Sequence, residues 1–383
     1  MVAFLIKIKE KLKSYNYRHI NVRLFIWLYA LLILGINVIA SATKSDDFEA
    51  KQLFGIILGS VALIILMLID YHFVLKFYWL IYFLNLALLL GVKFFGENVK
   101  GAQRWVELGG IQIQPSEFAK IFLVLFFAKL MLKYKDKLNT VRILLLFVVT
   151  FAIPLFLVYN QPDLSTSIVI IISFCVIMYI GGISYKIIAA LFAVAVPAVV
   201  IVIYLLLQPN QTIIDEYQYN RLIGFYDEDN EIAEQINYQQ TNSLMAIGSG
   251  GLWGKGLNND REDSVKNGNY ISEAQTDFIF TIVGEELGFV GTMSVIVLIA
   301  LVTFECFYMG AHAPDMGGRI ICCGIGAIIA FQSFVNMGVA TRLLPNTGLP
   351  LPFVSYGLSS LLSLMAGMGV CFNVGLQHKK LLS

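Results

Sequence analysis

Charge is scarce in this chain. Only 14% of its 383 residues are Asp, Glu, Lys or Arg, where a soluble domain carries roughly a quarter. Too few polar side chains remain to coat a water-facing surface, which excludes an ordinary soluble enzyme. Histidine is scarcer still, with only His19, His72, His312 and His378, and no metal spacing links them. The five cysteines (Cys175, Cys306, Cys322, Cys323 and Cys371) all sit inside apolar stretches. That excludes a disulfide framework or a zinc site and leaves them as small core residues. A nucleotide loop is also missing. Gly248-Ser249-Gly250-Gly251-Leu252-Trp253-Gly254-Lys255-Gly256 approaches the phosphate-loop pattern, but that pattern needs glycine at 249 and Ser or Thr at 256. Nothing points to a nucleic-acid partner, no repeat or low-complexity tract is present, and no A-x-A-like site follows the first apolar run.

What the chain has in abundance is apolar sequence. Hydrophobic residues make up 58% of it, and the mean hydropathy is +0.74. A helix crossing the ~30 Å hydrocarbon core needs about 20 mostly apolar residues. Such runs fall near 24–40, 53–69, 73–92, 116–132, 142–159, 164–182, 187–207, 287–309, 319–340 and 356–376. The expected fold is therefore an all-α polytopic membrane protein of about ten transmembrane helices, one domain over residues 1–383. Lys and Arg set its orientation. Lys7, Lys9, Lys11, Lys13, Arg18 and Arg23 in segment 1–23, Lys133, Lys135, Lys137 and Arg142, and Lys379 and Lys380 all lie on one side of a ten-span chain. That side is expected to be cytoplasmic, with both termini on it. The opposite side receives a long loop, 208–286, which includes Asp215, Glu216, Asp227, Glu228, Asp229, Glu231 and Glu234. Pro154 and Pro197 predict kinks inside their spans. Gly109-Gly110 predicts a short external hairpin before the fourth span.

Ionisable groups at membrane depth cost at least ~2.5 kcal/mol each, so those near the outer ends of spans ask for a reason. Pro115 should open the fourth span, which puts Glu117 and Lys120 on one helical face. Lys120 then either faces a substrate phosphate or closes a structural ion pair with Glu117. Asp163 is placed to cap the sixth span or to bind a metal or sugar hydroxyl. Asp277 stands where the long loop re-enters an apolar region, beside Phe278 and Phe280. There it is either a helix cap or a partly desolvated general base. Glu285 and Glu286 lie at the wrong helical phase to act as its close partners. Arg342 precedes a run containing Pro345, Pro350 and Pro352, which precludes regular helix and suits groove shaping or partner docking. Lys255, in flexible glycine-rich backbone, can approach an anionic ligand. All four histidines fall on the cytoplasmic side, so external chemistry needs a carboxylate base, for which Asp277 is best placed.

Several segments together resemble a known family. They are Gly101-Ala102-Gln103-Arg104-Trp105, Gln114 to Lys120, Gln161-Pro162-Asp163-Leu164, Ala246 to Gly251 with Gly254-Lys255-Gly256-Leu257, Thr276 to Phe280 with Gly284-Glu285-Glu286-Leu287-Gly288, and Pro350 to Gly357. In order and wording they resemble the RodA/FtsW/SpoVE (SEDS) family, and more the elongation members than the division members. The resemblance implies a ten-helix peptidoglycan glycosyltransferase acting on lipid II, the undecaprenyl-diphosphate-linked disaccharide-pentapeptide. It implies a class B penicillin-binding protein as partner and a bacterial cytoplasmic membrane location with the active site facing outward. It assigns the catalytic aspartate to Asp277, and cavity-lining charge to Asp163, Glu117, Lys120 and Arg104. Two positions depart from the family pattern: Leu358, where a second glycine is usual, and Ala340-Thr341-Arg342, where small or apolar residues are usual.

The expected reaction is attack by the 4-hydroxyl of one lipid-linked disaccharide on the anomeric carbon of another, with Asp277 as base. Lys120, Arg104 and, as further candidates, Lys255 or Arg342 would stabilise the departing diphosphate. A bridging divalent cation, Mg2+ or Mn2+, is an option; a nucleotide is not required. Two rival readings are a lipid II flippase and a non-catalytic scaffold for the transpeptidase.

Overall fold

A computed structural model describes residues 20–43, 46–99, 102–108, 111–206, 219, 225, 231–259, 264–265, 267–268 and 270–377. Most of the basic N-terminal segment, the acidic run before Glu231, the Gly109-Gly110 turn, and Lys379 and Lys380 lie outside the described residues.

The chain is helical, and a helix stands at each of the ten apolar segments. These are α1 (Val22–Ala42), α2 (Asp46–Leu68), α4 (Tyr78–Phe95), α5 (Pro115–Tyr134), α6 (Val141–Tyr159), α7 (Leu164–Ile180), α8 (Tyr185–Leu206), α10 (Ile279–Ala311), α11 (Met316–Ala340) and α12 (Leu358–Leu376). Among the described residues, shorter or more polar helices include α3 (Tyr71–Lys76) and α9 (Glu231–Ser249). Seven of them (α1, α2, α4, α6, α10, α11 and α12) are long and apolar enough to cross a membrane, and α7 is an apolar helix of 17 residues. The protein is an all-α polytopic membrane protein. Pro154 and Pro197 lie inside α6 and α8 without ending either helix.

Local chemistry sets the helix starts. The Asn21 side chain accepts from Leu24 N–H to open α1, and Pro115 occupies the first turn of α5. Asp315 accepts from Gly318 N–H at 2.8 Å to open α11. Two helices differ from the sequence expectation at their starts. The span expected from 73 begins at Tyr78, because Asp70 caps the separate helix α3 by accepting from His72 N–H at 3.0 Å, and the backbone turns at Phe77. Ahead of the span expected from 287 lies an added helical part: α10 is counted from Ile279, but a break at Gly288 (φ 65°, ψ −158°) divides it, and its second part starts where that span is expected.

The expected hairpin is present and has a third strand. β2 (Ala102–Leu108) pairs antiparallel with β3 (Ile111–Ile113), in the register Val106↔Ile113, Glu107↔Gln112 and Leu108↔Ile111. β1 (Glu97–Val99) pairs with the other end of β2, opposing Glu97 to Trp105. This small sheet connects α4 to α5.

Burial identifies the centre of the bundle. The apolar windows of α11 and α12 are 72% and 78% buried, against 22% for both α2 and α4. α12 packs along α2, α11 and α5; α10 packs on α11 and α1; α5 packs on α4 and α11. The outer helices turn apolar side chains such as Ile57, Leu80, Phe83 and Phe156 outward, as a lipid-facing surface does. The buried cysteines Cys306, Cys322, Cys323 and Cys371 lie in α10, α11 and α12.

Candidate active site

One end of the bundle holds an open cavity of about 920 Å3. Its walls come from the start of α2 (Phe48, Lys51, Phe54), the sheet (Arg104, Trp105, Glu107, Gln112), segment 272–278, the proline-rich segment and the start of α12. Most of this lining is irregular backbone, which membrane depth tolerates only where protein or a water-filled cavity satisfies it.

Asp277 lines this cavity and is half-buried. It is not the cap of α10: Phe278 holds that position, without a side-chain cap bond. The backbone around Asp277 is clamped instead. Asn336 Nδ2 donates to Asp277 O at 2.8 Å and to Leu349 O at 2.7 Å, so α11 grips the aspartate segment and the proline-rich segment together. Ser355 Oγ donates to Thr276 O at 2.6 Å, and Tyr356 N–H donates to Gln275 O at 2.9 Å. A carboxylate on such a fixed loop needs little reorganisation to act as a base.

Arg104 lines the same cavity from β2. Its Nε donates to Gln161 O at 3.0 Å, and a second guanidinium nitrogen donates to Pro162 O. These bonds orient the group and cancel little of its charge. Sequence reasoning missed a second lining cation, Lys51, on the exposed first turns of α2. Its only sequence signal is a lysine at the outer end of a span, which a solvated helix end also produces.

The other expected site residues lie behind the cavity wall. Glu117 and Lys120 are both 1% exposed. Lys120 Nζ donates to both Glu117 oxygens at 2.9 Å and to Gln332 Oε1 at 2.6 Å. Gln332 Nε2 passes the link on to Pro350 O at 2.9 Å, and Pro350 lines the cavity. Asp163 is 3% exposed. It caps α7, its Oδ1 accepting from Thr166 N–H, while its Oδ2 accepts from Gln114 Nε2 and Ser116 Oγ, each at 3.1 Å. Gln114 is a lining residue. These three buried groups therefore brace residues that face the open volume.

Lys255 and Arg342 are not among the lining residues. Lys255 pairs with the buried Glu285 at 2.8 Å. Arg342 follows α11 in a left-handed turn, φ 55°. Glu286 accepts from Ser41 Oγ at 2.6 Å. Neither glutamate lines the cavity beside Asp277.

A family model covering FtsW, RodA and SpoVE, described as a cell cycle protein, matches residues 19–380. The chain belongs to this FtsW/RodA/SpoVE family. Among curated relatives of this FtsW/RodA/SpoVE protein, the peptidoglycan glycosyltransferase MrdB of Escherichia coli K12 is 32% identical over 372 residues, which covers 95% of each chain. Among solved structures, a chain from a peptidoglycan synthase complex, described as coordinating polymerization and crosslinking, superposes with TM-score 0.77. It is 26% identical and covers 94% of this chain and 98% of its own. The rod shape determining protein RodA of Thermus thermophilus superposes with TM-score 0.68 at 25% identity, covering 96% of this chain and 98% of its own.

Among the described residues of this FtsW/RodA/SpoVE chain, no three His, Cys, Asp or Glu side chains are grouped to hold a metal ion.

Proposed function

We propose that this FtsW/RodA/SpoVE family member is a peptidoglycan glycosyltransferase that polymerises lipid II during cell-wall elongation. The observation that carries the reading is the meeting of Asp277, Arg104 and Lys51 around one cavity. The expected arrangement is a bacterial cytoplasmic membrane protein of ten spans, termini inward, with the cavity opening outward. Arg142 and the Lys133, Lys135 and Lys137 cluster at the opposite end of the bundle favour that orientation.

In the proposed step, Asp277 accepts the proton of the acceptor sugar's 4-hydroxyl as its oxygen attacks the donor's anomeric carbon. The bond from that carbon to the lipid diphosphate breaks, with inversion, and the diphosphate leaves with the bonding electrons. Arg104 and Lys51 stabilise the negative charge that develops on it. Phe48, Phe54 and Trp105 give the sugar rings and lipid neck apolar contact. Lys120, Glu117 and Asp163 are positioning residues in this reading, acting through Pro350 and Gln114. A divalent cation, Mg2+ or Mn2+, would supply neutralising charge to the substrate diphosphate, and no step here runs through it. A class B penicillin-binding protein is the proposed partner, since the complex that superposes on the chain couples polymerization to crosslinking.

Purified protein mixed with lipid II separates the readings. The expected result is a ladder of glycan strands on a gel. Transbilayer movement of lipid II without a ladder would indicate a flippase. Neither activity, with or without the partner, would leave a scaffold.

A further inference from the structure

Residues 250–257 form a turn that is built into the break of α10. The break exposes backbone groups on both sides, and the turn satisfies each side. Phe289 N–H and Val290 N–H, which begin the second part of α10, donate to Gly251 O (2.8 Å) and Leu252 O (3.2 Å). The carbonyls of Glu285 and Glu286, which close the first part, accept from Lys255 N–H and Gly256 N–H, both at 2.9 Å. Only glycine allows this approach. A Cβ at Gly254 (φ 79°) would lie 2.1 Å from Glu286 O, and one at Gly288 (φ 65°) would lie 2.4 Å from Gly254 N. The buried pair of Lys255 with Glu285 locks the same junction. The turn therefore has a fixed height on α10.

That height is at the membrane boundary. The second part of α10, residues 289–311, is roughly 34 Å long at 1.5 Å per residue, enough to cross the ~30 Å hydrocarbon core. Its outward apolar side chains Phe289, Met293, Val297 and Phe304 run down from the turn. At the top of this stripe the turn presents Leu252, 65% exposed, and Trp253, 78% exposed. A water-facing loop rarely displays this pair so openly, whereas tryptophan's amphipathic ring is suited to the headgroup layer. The lipid is favoured over a protein partner because the apolar patch continues the lipid-facing stripe of a membrane-crossing helix.

We propose that the Leu252-Trp253 turn is a membrane-interface anchor, with Trp253 seated among the lipid headgroups of the leaflet toward which the cavity opens. Because α10 begins two residues after Asp277, the anchor fixes the cavity's depth relative to those headgroups. The inference rests on α10 crossing the membrane and not on glycosyl transfer, so an inactive protein would leave it intact.

The test uses full-length protein in which Trp253 is the sole tryptophan (Trp27→Phe, Trp79→Phe, Trp105→Phe), reconstituted in phosphatidylethanolamine–phosphatidylglycerol vesicles. Its emission should be quenched by lipids carrying a nitroxide near the headgroup and largely spared by aqueous iodide. Quenching by iodide and not by the lipid nitroxide would overturn the anchor and give a water-facing loop. Protection from both would also overturn it, showing the turn covered by protein, such as a second copy of the chain. If the triple variant does not fold, wild type is compared with Trp253→Phe. The anchor predicts loss of a lipid-quenched component of the emission, and loss of an iodide-quenched component would contradict it.

Discussion

The cavity and the cluster behind its wall are both rich in charge, yet they solve opposite problems. Behind the wall, Glu117, Lys120 and Asp163 are buried and tied to named partners: Lys120 to Glu117 and Gln332, Asp163 to Thr166, Gln114 and Ser116. Around the cavity, Asp277 and Arg104 are half-buried and Lys51 is exposed, all facing a volume large enough for a sugar. A charge that is desolvated and fully paired can only hold a structure in one shape. A charge that is oriented through its backbone or its flank, while its working face meets an open volume, can change partners during a reaction. The contrast teaches that at membrane depth the cost of a charged group does not reveal its role; what surrounds it does.

Each half of that contrast can be broken separately. The largest effect should come from Asp277→Asn. Loss of a general base costs about 10²–10⁴-fold in turnover, and the melting temperature in detergent should stay at the wild-type value because Asn336 grips the backbone at 277. A variant that still polymerises lipid II normally would remove Asp277 from the chemistry. Lys120→Met should act the other way round. It leaves the Glu117 carboxylate buried without its ammonium, a loss of about 3–5 kcal/mol in stability, read as a lower unfolding midpoint. The double variant Glu117→Gln, Lys120→Met should recover much of it. Full stability of the single variant together with lost turnover would move Lys120 into the reacting set.

Much of this was legible in sequence, and the reasons for the rest are local. The ten helices follow from apolar run length, and the α7 cap and α5 start follow from Asp163 and Pro115. Asp277 stands out because the sequence puts all four histidines on the expected cytoplasmic side. Sequence could not decide whether Lys120 meets a phosphate or an ion-pair partner, since Gln332 lies 212 residues away and its reach depends on how α11 packs on α5. Lys51 is invisible for the reverse reason. A lysine at a helix end is ordinary, and only the cavity it shares with the sheet and segment 272–278 makes it part of a wall. The first part of α10, before the break at Gly288, is not legible because Glu285 and Glu286 look like loop residues until Ser41 and Lys255 are seen to cover them.

Lys51→Ala sharpens the open half of the contrast. Removing one group that stabilises developing charge costs about 10²-fold in turnover. The unfolding midpoint should stay unchanged, because Lys51 is exposed. An unaltered rate would leave Arg104 as the diphosphate's cation without help from α2.

The smallest effect concerns the opposite end of the bundle. His72 bridges Asp70 (3.0 Å) and Asp315 (2.8 Å), and its hydrogen bonds to those carboxylates, Asp315's first, raise its pKa from 6.5 to about 9. A raised folded-state value means that the clamp's stabilisation is fully present below 6.5 and fades as pH climbs through about 9. With the ring 41% exposed, solvent screens much of it. The unfolding midpoint should therefore fall slightly between those pH values in wild type, and this slope should flatten in His72→Gln.

The most direct test of the central claim, that the charged cavity opens to the outside, is labelling of Ser272→Cys in spheroplasts with a membrane-impermeant maleimide. Ser272 is exposed and lines the cavity. The account predicts rapid modification from outside without permeabilisation. Modification only after the membrane is opened would put Asp277, Arg104 and Lys51 on the cytoplasmic side and contradict it.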